Sequence, residues 1–268
     1  MSGDHRMAAV TDVAQELQVW GTFERVRDHL FHQFQDVHYV PETGLTRESL
    51  GHEIDQFILD HCEMPRVLQK AHVYRIVVTR GQIGVDPQDW FVDKLNHGGR
   101  VRALREEWHR EAQAGTLQKE VDWFRKGWDM GAVRGLLDLG HISPGWENMF
   151  AEGLTGLIKK AKRAREQLGD ATTAQQRAFY EAVEIVYTAT IELAERFADL
   201  AEDMIVMHPE NSVRLEAIAE ACRRVPAHRP RTFYEAIQFA WLMHELIEME
   251  GENVRSMGHF DRTMYPCY

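Results

Sequence analysis

Apolar residues recur at helical steps along most of this chain. Val13, Leu17, Trp20, Phe23, Val26, Leu30 and Phe34 are spaced by three and four, which marks an amphipathic helix with one apolar face. Leu50, Ile54, Phe57 and Ile58 repeat the pattern until Pro65 interrupts it. Val67, Leu68, Ala71 and Tyr74 then resume it, so Pro65 also suits the first turn of a new helix. Between Arg75 and Val85, β-branched residues gather around Gly81 and Gly84, predicting a helix end followed by a short strand or turn. From Val101 to about Trp128 a charged amphipathic helix or helix pair follows, with Leu104, Trp108, Leu117, Val121 and Phe124 inward.

Gly127 to Gly145 is punctuated by glycines and reads as a loop. Ser143 before Pro144 is a helix-start signal, a capping hydroxyl followed by a proline at the first helical position. That helix carries Phe150, Leu154, Leu157, Ile158 and Ala161 and ends near Leu168. Thr173 and Gln176 have capping-box spacing and open a long helix along Phe179, Ala182, Val186, Thr190, Leu193, Phe197, Leu200 and Met204. A short helix near Leu215 to Cys222 lies between Pro209 and Pro226. Thr232 and Glu235 form a second capping-box pair, opening a helix apolar on most of its circumference and hence deeply buried. Gly251 to Tyr268 loses helical periodicity and reads as loop or extended chain, so the pattern stops abruptly. No repeat, low-complexity stretch or domain-separating linker interrupts this mainly α chain.

Composition narrows the function classes. The chain has 268 residues and a formal net charge of −11, and its basic clusters are short and set among acids. A nucleic-acid binder needs clustered Lys and Arg for phosphate contacts, so that class is disfavoured. No apolar signal-peptide core follows Met1, and no window is apolar enough to span a bilayer, so a cytoplasmic location is expected. Cys62, Cys222 and Cys267 are odd in number and far apart, which argues against a disulfide framework.

Candidate chemistry is sparse in the pattern itself. The best local metal-ligand pairs are Glu106 with His109 and His244 with Glu248. A di-iron bundle needs two Glu-x-x-His motifs and two more inward glutamates, so solvated helix faces are the better account. His61 and Cys62 lack the recurring partners of a zinc site. No Walker loop, dinucleotide fingerprint or nucleophile elbow is present. The basic run from Lys159 to Arg163 is spread around a helix by its pitch and reads as a solvated face.

The order of motifs from Gly140 onward resembles the amino-terminal portion of the pyruvate formate-lyase family of glycyl radical enzymes. Residues 140–144, GHISP, with Trp146 and then GLTGLI at 153–158, are similar to that family's Gly-His loop and following helix. The stretch CRRVPAHRPRTFYE, Cys222 to Glu235, resembles its cysteine-containing helix, proline turn and P-x-R-T-F-x-E helix start. SMGHFDR at 256–262, with Tyr265 and Pro266, is similar to its S-x-G-R-F-D-Q…Y-P segment. The likeness treats 1–268 as one amino-terminal domain of this type, matching clearly over 140–268 and loosely over 1–139.

The resemblance implies the helical part of a ten-stranded α/β barrel, with the barrel incomplete in this chain. In that family a thiyl cysteine and a radical glycine sit on opposed loops inside the barrel. Both loops lie beyond Tyr268 in the family's order, so no catalytic residue is assigned here, and no metal. The chain itself is expected to bind no cofactor. The complete enzyme would need a glycyl radical installed by an activase that uses S-adenosylmethionine and an iron–sulfur cluster. The implied partners are that activase, a small-molecule substrate and a carboxy-terminal barrel half, either on another polypeptide or missing from this stretch of sequence.

His141 matches a Gly-His position that contacts substrate in diol-dehydrating members; the other reading is a loop histidine bound to backbone carbonyls. Ser256 matches a serine near the first barrel strand and is a second candidate for substrate contact. Asp261 and Arg262 are expected to pin that strand. His259 stands where the family has arginine and Arg262 where it has glutamine, and Val254 lacks the family's hydroxyl. The resulting function is part of a glycyl radical lyase or dehydratase, inactive alone. A non-catalytic helical module derived from that family is the alternative, and a helical metal oxidase ranks well below both. Without a partner, the last helix and Met257 to Tyr268 would lack apolar cover, so self-association is expected.

Overall fold

The computed structural model describes residues 43–115, 118–132, 141–169, 172–251 and 254–268, and scattered helical positions between 23 and 31. The chain divides into residues 1–40 and a larger unit, 41–268. Most of the first predicted helix, Val13 to Phe34, lies outside the described residues, as do the side chains of Leu117 and Val121. The larger unit consists of α1 (Arg47–Asp60), α2 (Arg66–Arg80), α3 (Arg100–Gly115), α4 (Gln118–Asp129), β1 (His141–Ile142), α5 (Trp146–Leu168) and α6 (Ala174–Met207). After a 3-10 turn (Pro209–Asn211) come α7 (Ser212–Arg224), α8 (Phe233–Met249), β2 (Val254–Arg255), α9 (Phe260–Met264) and a second 3-10 turn (Tyr265–Cys267).

The fold is built around α6, whose 34 residues extend about 50 Å at the usual helical rise. Its start is the predicted capping box: Thr173 Oγ1 accepts the Gln176 amide at 3.1 Å, and Gln176 Oε1 accepts the Thr173 amide at 2.9 Å. Alanines 182, 189, 194, 198 and 201 are buried along it and let α2, α5 and α7 approach closely, while Leu193, Phe197 and Met204 fill the spaces between them. Phe179, expected inward, lies on the outer side of the first turns and is exposed.

Two polar links bind α6 to α2. Thr190 Oγ1 donates to the Val186 carbonyl at 2.9 Å, so its remaining lone pairs accept the Tyr74 phenol at 2.7 Å. Arg196 donates to the carbonyls of Val78 (2.5 Å) and Gly81 (2.6 Å), satisfying the open end of α2.

After Gly81 the chain makes single bridges through Ile83 to Thr43 and Leu95, which is the predicted change from helix to extended backbone. The loop from Gly84 to Gly99 docks on α8. Val92 donates its amide to Gln238 Oε1 at 3.0 Å, and Gln238 Nε2 returns a bond to the Val92 carbonyl at 2.9 Å. Tyr234 donates its hydroxyl to the Trp90 carbonyl and stacks on Phe91.

The Thr232 cap on α8 is present, since its Oγ1 accepts the Glu235 amide at 3.1 Å. The reciprocal half is redirected: Glu235 accepts the Arg231 amide and guanidinium and pairs with Arg224. Two arginines compete successfully with one backbone amide for a buried carboxylate. Most of α8 is buried, as its composition predicts, but Phe233 and Trp241 remain exposed, Trp241 at 51%.

Two expectations are corrected. Ser143 caps nothing: Pro144 turns its carbonyl back to accept the Trp146 amide at 2.7 Å, so α5 begins two residues later with Gly145 as its cap. The segment after Gly251, read as loop or extended chain, does contain the extended β2 but also the short helix α9; five residues of helix are too few to show a period. Asp261 and Arg262 sit on α9. Arg262 pairs with Glu147 at 3.0 Å, tying α9 to the start of α5.

Candidate functional site

The two candidate contact residues lie far apart in sequence and meet through one short parallel ladder. His141 pairs with Val254 and Ile142 with Arg255, making a two-stranded sheet. Continued by one residue, that register sets Ser143 level with Ser256. His141 thus stands at the first rung and Ser256 just past the last.

Ser256 is held by both of its oxygens. Its backbone carbonyl accepts the Trp146 indole N–H at 2.9 Å, across 110 positions of sequence. Its side-chain hydroxyl accepts the Gly258 amide at 2.9 Å, closing a tight local turn. Gly258 has φ +60°, a left-handed conformation that favours glycine. The Ser256 and Ser143 side chains are both exposed.

Trp146 is itself fixed. Its ring stacks on His244 of α8 at 5.4 Å between centroids and meets Phe150 edge-on at 6.1 Å. Behind it, Phe150 packs on the fully buried Phe239. This explains why α5 can serve as a support: its first turn is sealed between the ladder and α8. Sequence reading singled out His244 as a metal-ligand candidate, but its ring is used in stacking, and Glu106 accepts Arg102 at 2.9 Å. Among the described residues no group of His, Cys, Asp and Glu is arranged to hold a metal ion.

Replacing Trp146 with phenylalanine keeps an aromatic ring in the core but removes the N–H donor together with part of the buried ring volume. The lost hydrogen bond is expected to lower stability by about 1 kcal/mol and the cavity to add to it. The specific signature is faster amide hydrogen exchange at 254–258 than elsewhere. Unchanged exchange there would mean that the indole does not hold this strand.

The three cysteines are free. Cys222 is buried on the inward face of α7, and burial pushes its thiol up to about 12. Such a thiol stays protonated and packs as a small hydrophobe. Cys62 is exposed beyond the end of α1, and Cys267 is half-buried, its thiol also raised by burial.

A tight turn at Gly153 joins this support to the rest of the fold. There α5 breaks, with φ +64° and ψ 169°, and the amides of Leu154 and Thr155 cross to the carbonyls of Pro226 (2.9 Å) and Ala227 (3.0 Å). A Cβ on Gly153 would lie 2.5 Å from the Ala227 oxygen and 2.6 Å from two His228 backbone atoms. No helix among the described residues is long and apolar enough to cross a membrane.

Residues 66–268 match the model of a family described as pyruvate formate lyase-like. The isethionate sulfite-lyase of Oleidesulfovibrio alaskensis is 33% identical over 130 residues, 46% of this chain but 16% of that protein. The matched residues thus span about a sixth of that relative's length. A solved structure concerned with 1,2-propanediol dehydration in Roseburia inulinivorans superposes with a TM-score of 0.70 at 20% identity, covering 92% of this chain and 36% of that one. A glycyl radical enzyme from Archaeoglobus fulgidus gives a TM-score of 0.60 at 22% identity, covering 82% and 34%.

Proposed function

This chain belongs to the pyruvate formate lyase-like family, and we propose that it supplies the helical shell and one substrate-facing wall of a glycyl radical lyase or dehydratase. The wall is the β1–β2 ladder with His141, Ser256 and the turn at Gly258. The observation that supports this reading is the register of the ladder, which sets His141 opposite Val254, two residues before Ser256, so that both residues singled out by the family likeness fall on one short pair of strands and its continuation. Small polar substrates are the class, in keeping with relatives whose names refer to isethionate and to 1,2-propanediol.

On this reading the radical centres lie outside these residues. Cys222 is sealed among helices and therefore fits a packing role better than a hydrogen-abstracting one. The remaining barrel is the partner that the wall needs. Exposed Phe233 and Trp241 on α8, with Phe260, Tyr265 and Tyr268 after it, provide apolar area for that contact. A barrel would also exclude water and oxygen from a carbon radical.

The test is reconstitution. The chain is mixed anaerobically with a polypeptide carrying the family's cysteine and glycine loops, together with an activase. The expected result is a stable complex, a glycyl radical signal by electron paramagnetic resonance, and turnover of a small diol or sulfonate. The chain alone should give neither signal nor turnover. Failure to associate with any such polypeptide would sink the proposal.

A further inference from the structure

We infer that His97 is a proton-sensitive cap: neutral, it closes the start of α3, and protonated, it releases that turn and loosens the chain that α3 covers at the exit of α8. The inference is independent of the wall reading, because it concerns the order of this segment and not what the segment binds.

The turn before α3 is closed at both ends of one residue. The His97 carbonyl accepts the Arg100 amide at 3.4 Å, and its ring Nδ1 accepts the Gly99 amide at 3.1 Å. Gly99 accepts the Ala103 amide at 3.0 Å, which is the first bond of the helix. Two of the amides left open at the α3 start therefore end on His97. An imidazole nitrogen accepts a hydrogen bond only while it carries no proton, so the neutral ring holds its single proton on Nε2. Protonating Nδ1 sets a donor against the Gly99 donor. It also places a cation at the positive end of the α3 dipole.

The surroundings favour the neutral ring. Burial lowers the imidazole pKa from its ordinary value; Glu248 of α8 opposes this shift and Arg47 of α1 adds to it. Arg47 lies along the turn, its Cγ 3.2 Å from the point that a Gly98 Cβ would occupy. Arg100, the next cation, is paired with Asp55 of α1. The folded value thus lies below the unfolded one, which is about 6.5. The cap's contribution is complete above the unfolded value and is lost as pH falls through the folded value.

The first two turns of α3 carry the effect to the end of α8. Arg105 Nη1 donates to the Glu250 carbonyl at 3.4 Å. Gly251 lies so close beneath them that a Cβ would stand 3.0 Å from Arg102 Cγ and 3.2 Å from Arg105 Nη1. Opening the cap frays these turns first, and the chain leading into β2 then loses its cover.

The experiment is amide hydrogen exchange on the full chain at about pH 7.5 and about pH 5.5, expressed as protection factors so that the intrinsic pH dependence of exchange cancels. Protection at 99–105, and at 250–251 and 254–256, should fall about three- to tenfold at the lower pH, the equivalent of one lost hydrogen bond, while the centre of α6 stays unchanged. His97→Asn keeps an acceptor for the amide two residues on and does not titrate, so its protection should match at both pH values. His97→Phe removes the acceptor and should be poorly protected at both. If the parent chain loses no protection at 99–105, the inference fails whatever the variants do. It also fails if His97→Asn loses as much as the parent, or if His97→Phe is as protected as the parent at the higher pH. A loss at 99–105 that leaves 250–251 and 254–256 protected overturns the link through Arg105.

Discussion

Replacing Gly153 with alanine is expected to unfold the chain or lower its stability by more than about 3 kcal/mol. Two independent costs add at this position. At φ +64° and ψ 169° the backbone occupies a region that is essentially restricted to glycine, costing a side chain about 1–3 kcal/mol. The new Cβ would also sit 2.5 Å from the Ala227 carbonyl oxygen. That neighbour is backbone and is itself bonded to the Thr155 amide, so it cannot retreat without breaking the cross-link. Gly169 provides the control, having φ +51° but nothing within 4 Å of its Cβ position. Gly169→Ala should show only the conformational cost, about 1–2 kcal/mol. Equal thermal shifts for the two variants would show that the Ala227 contact contributes nothing.

The second large effect is expected at Gln238. It is 1% exposed, and its amide satisfies both the N–H and the C=O of the buried Val92. Gln238→Leu fills much of the same volume but leaves two buried backbone groups without partners. Each costs about 1–3 kcal/mol, so a loss of about 2–6 kcal/mol is expected. Gln238→Glu is the more discriminating variant. Its carboxylate can accept the Val92 amide but cannot donate to the Val92 carbonyl. Burial should raise its pKa above that in the unfolded chain, making the neutral acid the better-tolerated form. The penalty is therefore full at pH values above the folded pKa and shrinks as pH falls through it, since the protonated acid can donate. Urea melts across pH 4 to 8 would show this. A leucine variant as stable as the parent would mean that the 84–99 loop is not docked through this side chain.

Much of the helical framework is legible in the sequence because its signals are local. Thr173 and Gln176 are three residues apart, and a hydroxyl and an amide at that spacing can bond reciprocally whatever surrounds them. Thr232 and Glu235 have the same spacing, yet the glutamate turns to Arg231 and Arg224, and Arg224 is contributed by the preceding helix. That competition is tertiary and leaves no mark at the box itself. Gly153 hides inside an apolar pattern that continues on both sides of it. Only the approach of 226–228 reveals that the helix is broken there.

The candidate wall was legible only through family likeness. Nothing in local spacing says that His141 should lie beside Val254, because a parallel ladder joins segments with a long excursion between them. The indole bond from Trp146 to Ser256 is equally remote from any periodicity. Ser143 was visible but carried the wrong meaning, since Ser-Pro reads as a cap unless the proline carbonyl folds back.

The cross-link at Gly153 has one more consequence. Starting from β2, hydrogen bonds lead to β1, and the chain continues through Ser143 to the first turns of α5. At Gly153 the amides of Leu154 and Thr155 pass to Pro226 and Ala227, and α8 then runs back to β2. The path is a closed circuit. A support of this kind has no loose end from which to fray, and a push on the ladder is shared around the loop instead of travelling out along α5.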